Sequence, residues 1–240
     1  MMRTILLYFI FVLSTTSVTK AQIIIDQPVH IQVDGGLNTY YGDVKRFRYV
    51  PTTRDHNEVT LSTSINVAIP VRKTLIIKGQ YLYGIISGTE KRANSYFTAN
   101  THILTLSGQL ILNRLFSDKK TSYFNQRFLS YGSFGIGKAI YSTRLYTLST
   151  NTLVDSRGRR DSTGELEKKP RSTVFPVGFG LSYKVSNNTK FYKKEFIDRI
   201  YINIEATMYI IDTDQFDLTQ TDRSSKDKFL RISSGIIYVF

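Results

Sequence analysis

Apolar and polar residues alternate with period two along most of this chain. In EVTLSTSINVAI, Val59, Leu61, Ile65, Val67 and Ile69 share one face, and Thr60, Ser62, Ser64 and Asn66 share the other. FPVGFGLSYKV sets Phe175, Val177, Phe179, Leu181, Tyr183 and Val185 against Pro176, Gly178, Gly180, Ser182 and Lys184. RIYINIEATMYI does the same with Ile200, Ile202, Ile204, Ala206, Met208 and Ile210 against Tyr201, Asn203, Glu205 and Thr207. Side chains of a strand point alternately to its two faces, so each stretch predicts a two-faced strand. Eight such stretches occur, at about 30–43, 58–70, 74–89, 97–116, 126–146, 174–186, 196–211 and 228–240.

These strands exceed the usual length of about five or six residues. Two architectures would accept them. A soluble sandwich or ligand-binding barrel turns the apolar face inward, whereas a transmembrane barrel turns it toward lipid and packs the polar face into its lumen. The second face carries Gln32, Asp34, Asn38, Asn66, Lys78, Gln80, Lys184, Asn203 and Glu205 among many Gly, Ser and Thr, a mixture suited to a narrow lumen. The expected fold is therefore all-β: an eight-stranded antiparallel transmembrane β-barrel. Longer links (147–173 and the stretch after Ile211) are expected at one end, and shorter turns, such as that near Pro70, at the other. Aromatic girdles should mark both rims. Tyr40, Tyr41, Tyr83, Tyr96, Phe97, Tyr146, Phe175, Tyr209 and Phe229 would form the long-loop girdle; Phe116, Phe124, Phe128, Phe191, Tyr192, Phe196 and Tyr238 would form the other. Asp34, Lys78, Lys184 and Glu205 would be costly unpaired inside, so they should pair across the lumen and plug it.

The first residues change the compartment. Arg3 precedes an apolar run from Ile5 to Leu13, then small polar residues with Thr19 and Ala21 before Gln22. The run is far short of the roughly 20 residues needed to span a bilayer, so 1–21 is expected to be a cleaved signal peptide and 22–240 the barrel. The chain has no cysteine, which removes disulfides, thiolate metal sites and thiol nucleophiles. Its formal charge is +13. Export argues against nucleic acid as the reason, and a basic surface facing anionic lipid or lipopolysaccharide explains it.

The last strand, KFLRISSGIIYVF, places Leu230, Ile232, Ile236, Tyr238 and Phe240 on one face. A terminal Phe, an aromatic two residues earlier and alternating apolar residues before them resemble the C-terminal signature of bacterial outer-membrane β-barrel proteins. The resemblance implies that Tyr238 and Phe240 form an assembly signal read by the barrel insertion machinery. GGLNTYYGDVKRF, KGQYLYGIISGTEK and YGSFGIGKAIY are similar to small outer-membrane barrels of Bacteroidota, of the OmpA/OmpX type. One branch of these is associated with the type IX protein secretion apparatus, which makes envelope or secretion-system proteins possible partners. The peptidoglycan-binding domain of two-domain relatives is not seen.

Three motifs suggest other chemistry and fit it poorly. GSFGIGKA has the Gly132, Gly137 and Lys138 of a phosphate-binding loop, but Ala139 replaces the Ser or Thr that holds magnesium, and the stretch alternates like a strand. Asp212, Asp214 and Asp217 are spaced faintly like a calcium loop without its turn glycine or bidentate Glu. A lipid A-modifying enzyme would need a histidine with a serine and a carboxylate. His102 has Ser107 five residues on, on the opposite face of the strand. The expectation is a barrel without cofactor, metal or catalytic set, serving a structural or interaction role. A lipid-modifying enzyme and a soluble exported ligand-binding barrel are the alternatives. Recognition is expected from the 147–173 link, whose Arg157, Arg159, Arg160, Lys168, Lys169 and Arg171 could meet lipopolysaccharide phosphates or a partner protein.

Overall fold

The computed structural model describes residues 28–41, 58–90, 94–115, 127–157, 170–185, 200–212, 216 and 227–240. Its strands are β1 (His30–Tyr41), β2 (Val59–Arg72), β3 (Leu75–Glu90), β4 (Ser95–Ile111), β5 (Phe128–Thr147), β6 (Leu153–Arg157), β7 (Arg171–Lys184), β8 (Ile200–Ile211) and β9 (Lys228–Val239). All neighbours are antiparallel. The sheet runs β4-β3-β2-β1-β9-β8-β7-β5, and β4 also pairs β5, so eight long strands close on themselves. Closure pairs β1 with β9 from His30↔Val239 to Tyr41↔Lys228. The Phe240 amide then donates to the Val29 carbonyl at 2.9 Å, which leaves both ends of the barrel sequence at one rim.

The alternation sorts side chains inside out. Leu61 is 72% exposed on the outer wall, whereas Asn66, five residues on and facing inward, is 1% exposed. Leu104, Leu106, Phe134, Ile136, Ile204, Ile232 and Ile236 are also exposed on the outer wall. Gln32, Asp34, Ser64, Lys78, Gln80, Thr105, Asn203, Glu205 and Arg231 are buried inside. A protein in water gains stability by the reverse arrangement. This wall suits hydrocarbon, where a closed barrel also leaves no unpaired strand edge. The fold is an eight-stranded antiparallel transmembrane β-barrel.

Three features differ from the sequence expectation. The 147–173 link is not wholly a loop. A tight turn, with Asn151 at φ 55° and its amide donating to the Thr147 carbonyl at 2.9 Å, leads into β6, which pairs with Thr143–Tyr146 as an arm on β5. Asparagine tolerates this left-handed backbone better than most residues. The arm stands outside the ring of eight, and its five residues were too few for alternation to reveal. Secondly, link length separates the two ends less cleanly than expected. The β3–β4 link at the loop end is the short stretch 91–94, while 112–127 and 185–199 lie at the end bearing Phe240. β4 also stops at Ile111 rather than near residue 116. A helical turn at Leu112–Leu115 follows, and the Asn113 side-chain amide holds the Phe128 carbonyl at 2.8 Å.

Candidate functional site

The lumen is filled in three tiers. The outer tier, nearest the loop end, is apolar and largely aromatic. Tyr40 meets Phe97 edge-on at 4.7 Å, Tyr209 stacks on Phe229 at 4.7 Å, and Tyr141 packs on Phe216 at 4.7 Å. Phe216 comes from the β8–β9 link and is fully buried. Its amide donates to Asp227 Oδ2 at 3.0 Å, and its carbonyl accepts from Thr143 Oγ1 at 2.9 Å. Asp227 also receives the Tyr40 hydroxyl. Tyr40, Phe97, Tyr209 and Phe229 therefore plug the barrel mouth, which corrects their expected place in an outer girdle. Tyr41, Tyr83, Tyr96, Tyr146 and Phe175 keep the outward phase. Phe116, Phe124, Phe191, Tyr192 and Phe196 lie outside the described residues.

The middle tier holds the charges. Lys78 Nζ donates to both Glu205 carboxylate oxygens at 2.9 Å. Glu205 also accepts from the Tyr131 hydroxyl at 2.9 Å and from Thr207 at 2.8 Å. Asp34 is ion-paired with Arg231. It further accepts from Ser64 at 2.8 Å, Asn66 at 2.6 Å and Gln32 at 3.1 Å. Arg231 Nε donates to Ser62 at 2.9 Å. Gln80 joins this tier to the one above: its amide donates to Ser64 at 3.3 Å, and its carbonyl accepts from the Tyr209 hydroxyl at 2.7 Å. Buried charges of this kind persist only where partners satisfy them. Gly180 is required here because the Tyr131 ring lies directly against it, where a Cβ would collide.

The inner tier is mainly apolar, with Ala68, Ile76, Ile111, Leu129, Tyr131, Tyr201, Val239 and Ile237, and the buried His30 lies level with Ala68 and Val239. Within this tier lies a cavity of about 20 Å³, whose polar lining is His30, Gln32, Gln109 and Ser182, with room for about one water molecule. The described lumen is thus a charged slab between two mainly apolar stoppers, with Asp227 set into the outer one and His30 into the inner one.

The predicted site residues fall into separate places. Asp34, Lys78 and Glu205 join the slab. Lys184 faces inward but sits half-buried at the last position of β7, at the rim, and is not in either ion pair. Its place as a partner of the other three is corrected. The cation that pairs with Asp34 is Arg231, which the sequence reading passed over. Its signal was present, since it alternates with Leu230 and Ile232 on the face away from lipid. Arg171 opens β7, exposed, opposite Ile140. The backbone of Arg157 pairs with Thr143. Arg159, Arg160, Lys168 and Lys169 lie outside the described residues, as do Asp214 and Asp217. Tyr238 meets Phe240 edge-on at 4.7 Å, and Phe240 is exposed on the outward face.

Other candidate chemistry is not brought together. GSFGIGKA lies inside β5, and Lys138 faces outward, 3.5 Å from Thr173 Oγ1. His102 lies on the outer wall, its Nδ1 2.8 Å from the Tyr81 hydroxyl and its ring 4.9 Å from that of Tyr83. Ser107 faces the lumen and donates to the Lys78 carbonyl at 3.3 Å. Among the described residues no group of three His, Asp or Glu is placed to share a metal ion.

No family model matches the chain, and no curated protein matches it. Solved structures resemble its shape. Neisserial surface protein A (NspA) is 9% identical, with a TM-score of 0.45 over 88% of this chain and 97% of that one. Ail, the attachment invasion locus protein of Yersinia pestis, is 10% identical, with a TM-score of 0.46 over 89% and 99%. The outer membrane protein OprG of Pseudomonas aeruginosa is 10% identical, with a TM-score of 0.41 over 89% and 97%. At these values the likeness is one of outline, and the barrel rests on its own closed register.

Proposed function

We propose that this chain is a bacterial outer-membrane scaffold barrel whose lumen is closed and whose rim and links do the recognising. The observation that carries this reading is the charged slab held between two mainly apolar stoppers. An eight-stranded barrel has an interior only wide enough for side chains, and here they are mainly apolar toward both ends and ion-paired in the middle. Planar-bilayer recordings of the purified chain should show no large stable conductance. Steady openings of porin size would refute the closed lumen.

The inside-out wall and the expected leader at 1–21 support the outer membrane as the site of insertion. The outward Tyr238 and Phe240 are in position to serve as the assembly address for the insertion machinery. Deleting Phe240 should lower the heat-modifiable, folded fraction in the membrane several-fold without lowering synthesis; unchanged membrane levels would remove that role.

The basic 147–173 segment is proposed to meet lipopolysaccharide phosphates or an envelope protein. β6 supports the idea because its hairpin arm on β5 holds the start of the segment, from Leu153 to Arg157, at the loop-end rim. Membership in a secretion assembly rests on the resemblance of GGLNTYYGDVKRF and its companions. Crosslinking from the 147–173 segment in whole cells tests it, because capture of secretion components supports the assembly reading and capture of lipopolysaccharide alone supports a lipid contact.

A further inference from the structure

The outer wall is not evenly apolar. Across β3, β2, β1, β9 and β8 it is indented by an open groove of about 790 Å³. Small outward residues form its floor: Gly35 pairs with Thr63 on one side and Ser234 on the other. Leu37, Leu61, Tyr83, Ile85, Ile204 and Ile232 form its walls. A Cβ built on Gly35 meets nothing within 4 Å, so this is space outside the barrel rather than a gap within its packing. Ligand sites commonly enclose about 300–1,000 Å³.

A cation stands over the groove on the same face. Going up β9 from Ile232, the outward residues are Leu230 and then Lys228, which is exposed and pairs with Tyr41 at the loop-end rim. Four residues of strand separate Lys228 from Ile232 by roughly 13 Å. An apolar depression within the lipid-facing band and an ammonium group at its rim match the two ends of one kind of molecule. We propose that the groove holds an acyl chain of a net-anionic phospholipid from the leaflet at the loop end, with its headgroup phosphate at Lys228. Asp212, just beyond β8 at the same rim, is an acid that would compete for the lysine, so the two halves of the site must be tested separately. The proposal rests on the membrane reading above.

The test uses the full barrel reconstituted in vesicles containing phosphatidylglycerol or phosphatidylcholine analogues with a diazirine on one acyl chain. Crosslinked residues are then mapped by mass spectrometry. Labelling should concentrate on Leu37, Leu61 and Tyr83, with the anionic analogue favoured about fivefold, the ratio expected for one lysine near an anionic headgroup. Gly35→Leu fills open space, so it should keep the heat-modifiable fold while lowering groove labelling at least several-fold. Lys228→Gln should keep groove labelling but abolish the preference for phosphatidylglycerol.

Even labelling around the wall would overturn the proposal in favour of an ordinary lipid annulus. So would a wild-type dimer in detergent that Gly35→Leu dissociates, because a second copy would then be the occupant. A chain recovered soluble without detergent would instead refute the membrane reading itself, so the two failures are distinguishable.

Discussion

Arg231→Met should destabilise the folded barrel by about 3–5 kcal/mol, the loss typical when one member of a buried ion pair is removed. Arg231 is 2% exposed and lies at the centre of the slab, so no solvent replaces it beside Asp34. Asp34 would retain Ser64, Asn66 and Gln32 as donors but lose its counter-charge. The double variant Asp34→Asn, Arg231→Met should recover most of the loss, because neither residue then carries a charge in the lumen. Urea unfolding of vesicle-bound protein, followed by heat-modifiable gel mobility, measures both. Equal stability of Arg231→Met and wild type would mean that the pair is not buried as described.

Leu106→Arg should be about as damaging, for the opposite reason. Leu106 is exposed on the outer wall opposite Ile136 and has little packing to lose. In a water-soluble barrel such a change would fall within roughly 0.5 kcal/mol of neutral. In hydrocarbon an arginine near the bilayer midplane costs about 2–4 kcal/mol. The same unfolding assay therefore separates the two solvents by a single exposed residue. Lys138 supplies the internal comparison. It is an outward cation further up β5, and its ammonium lies near Thr173 on β7. Lys138 stands only one outward position above the Leu106 level; its long stem lets the ammonium reach toward the headgroups, so Lys138→Leu should be neutral or stabilising.

These residues also show which parts of the structure were legible in the chain. Period-two alternation placed Asp34, Lys78 and Glu205 inside and Leu61, Ile136 and Ile232 outside, because a strand obeys parity wherever it lies. Parity says nothing about height along the barrel. Lys184 has the inward phase yet ends at the rim, where the slab is out of reach. Register is equally invisible in one sequence: Lys78 and Glu205 are 127 residues apart and meet only because closure brings β3 and β8 across the lumen from each other. Arg231 was readable by phase but hidden among the apolar residues that mark its strand as the last.

The aromatic residues were ambiguous for a physical reason. Tyr and Phe suit both a lipid–water rim and a packed lumen, and both places lie near strand ends. Phase alone separates Tyr41 from Tyr40, and it assigns the plug correctly when strand position does not. Phe216 had no periodic signal, since a link residue acquires its partners only after the ring has closed. The basic charges between β6 and β7 carry no periodicity either, so alternation assigns them no face.

The central claim is that the wall faces lipid and the lumen is closed. Because the chain has no cysteine, single cysteines can be placed without a background and spin-labelled in vesicles. Ile65, Leu106, Ile136 and Ile232 report the wall, and Ser64, Thr105 and Ser233 the lumen. Collision with dissolved oxygen and with a water-soluble nickel chelate should alternate with residue parity: the wall positions accessible to oxygen and shielded from nickel, the lumen positions shielded from both. Nickel access at the wall positions would contradict a lipid-facing surface, and nickel access at the lumen positions would contradict the closed interior.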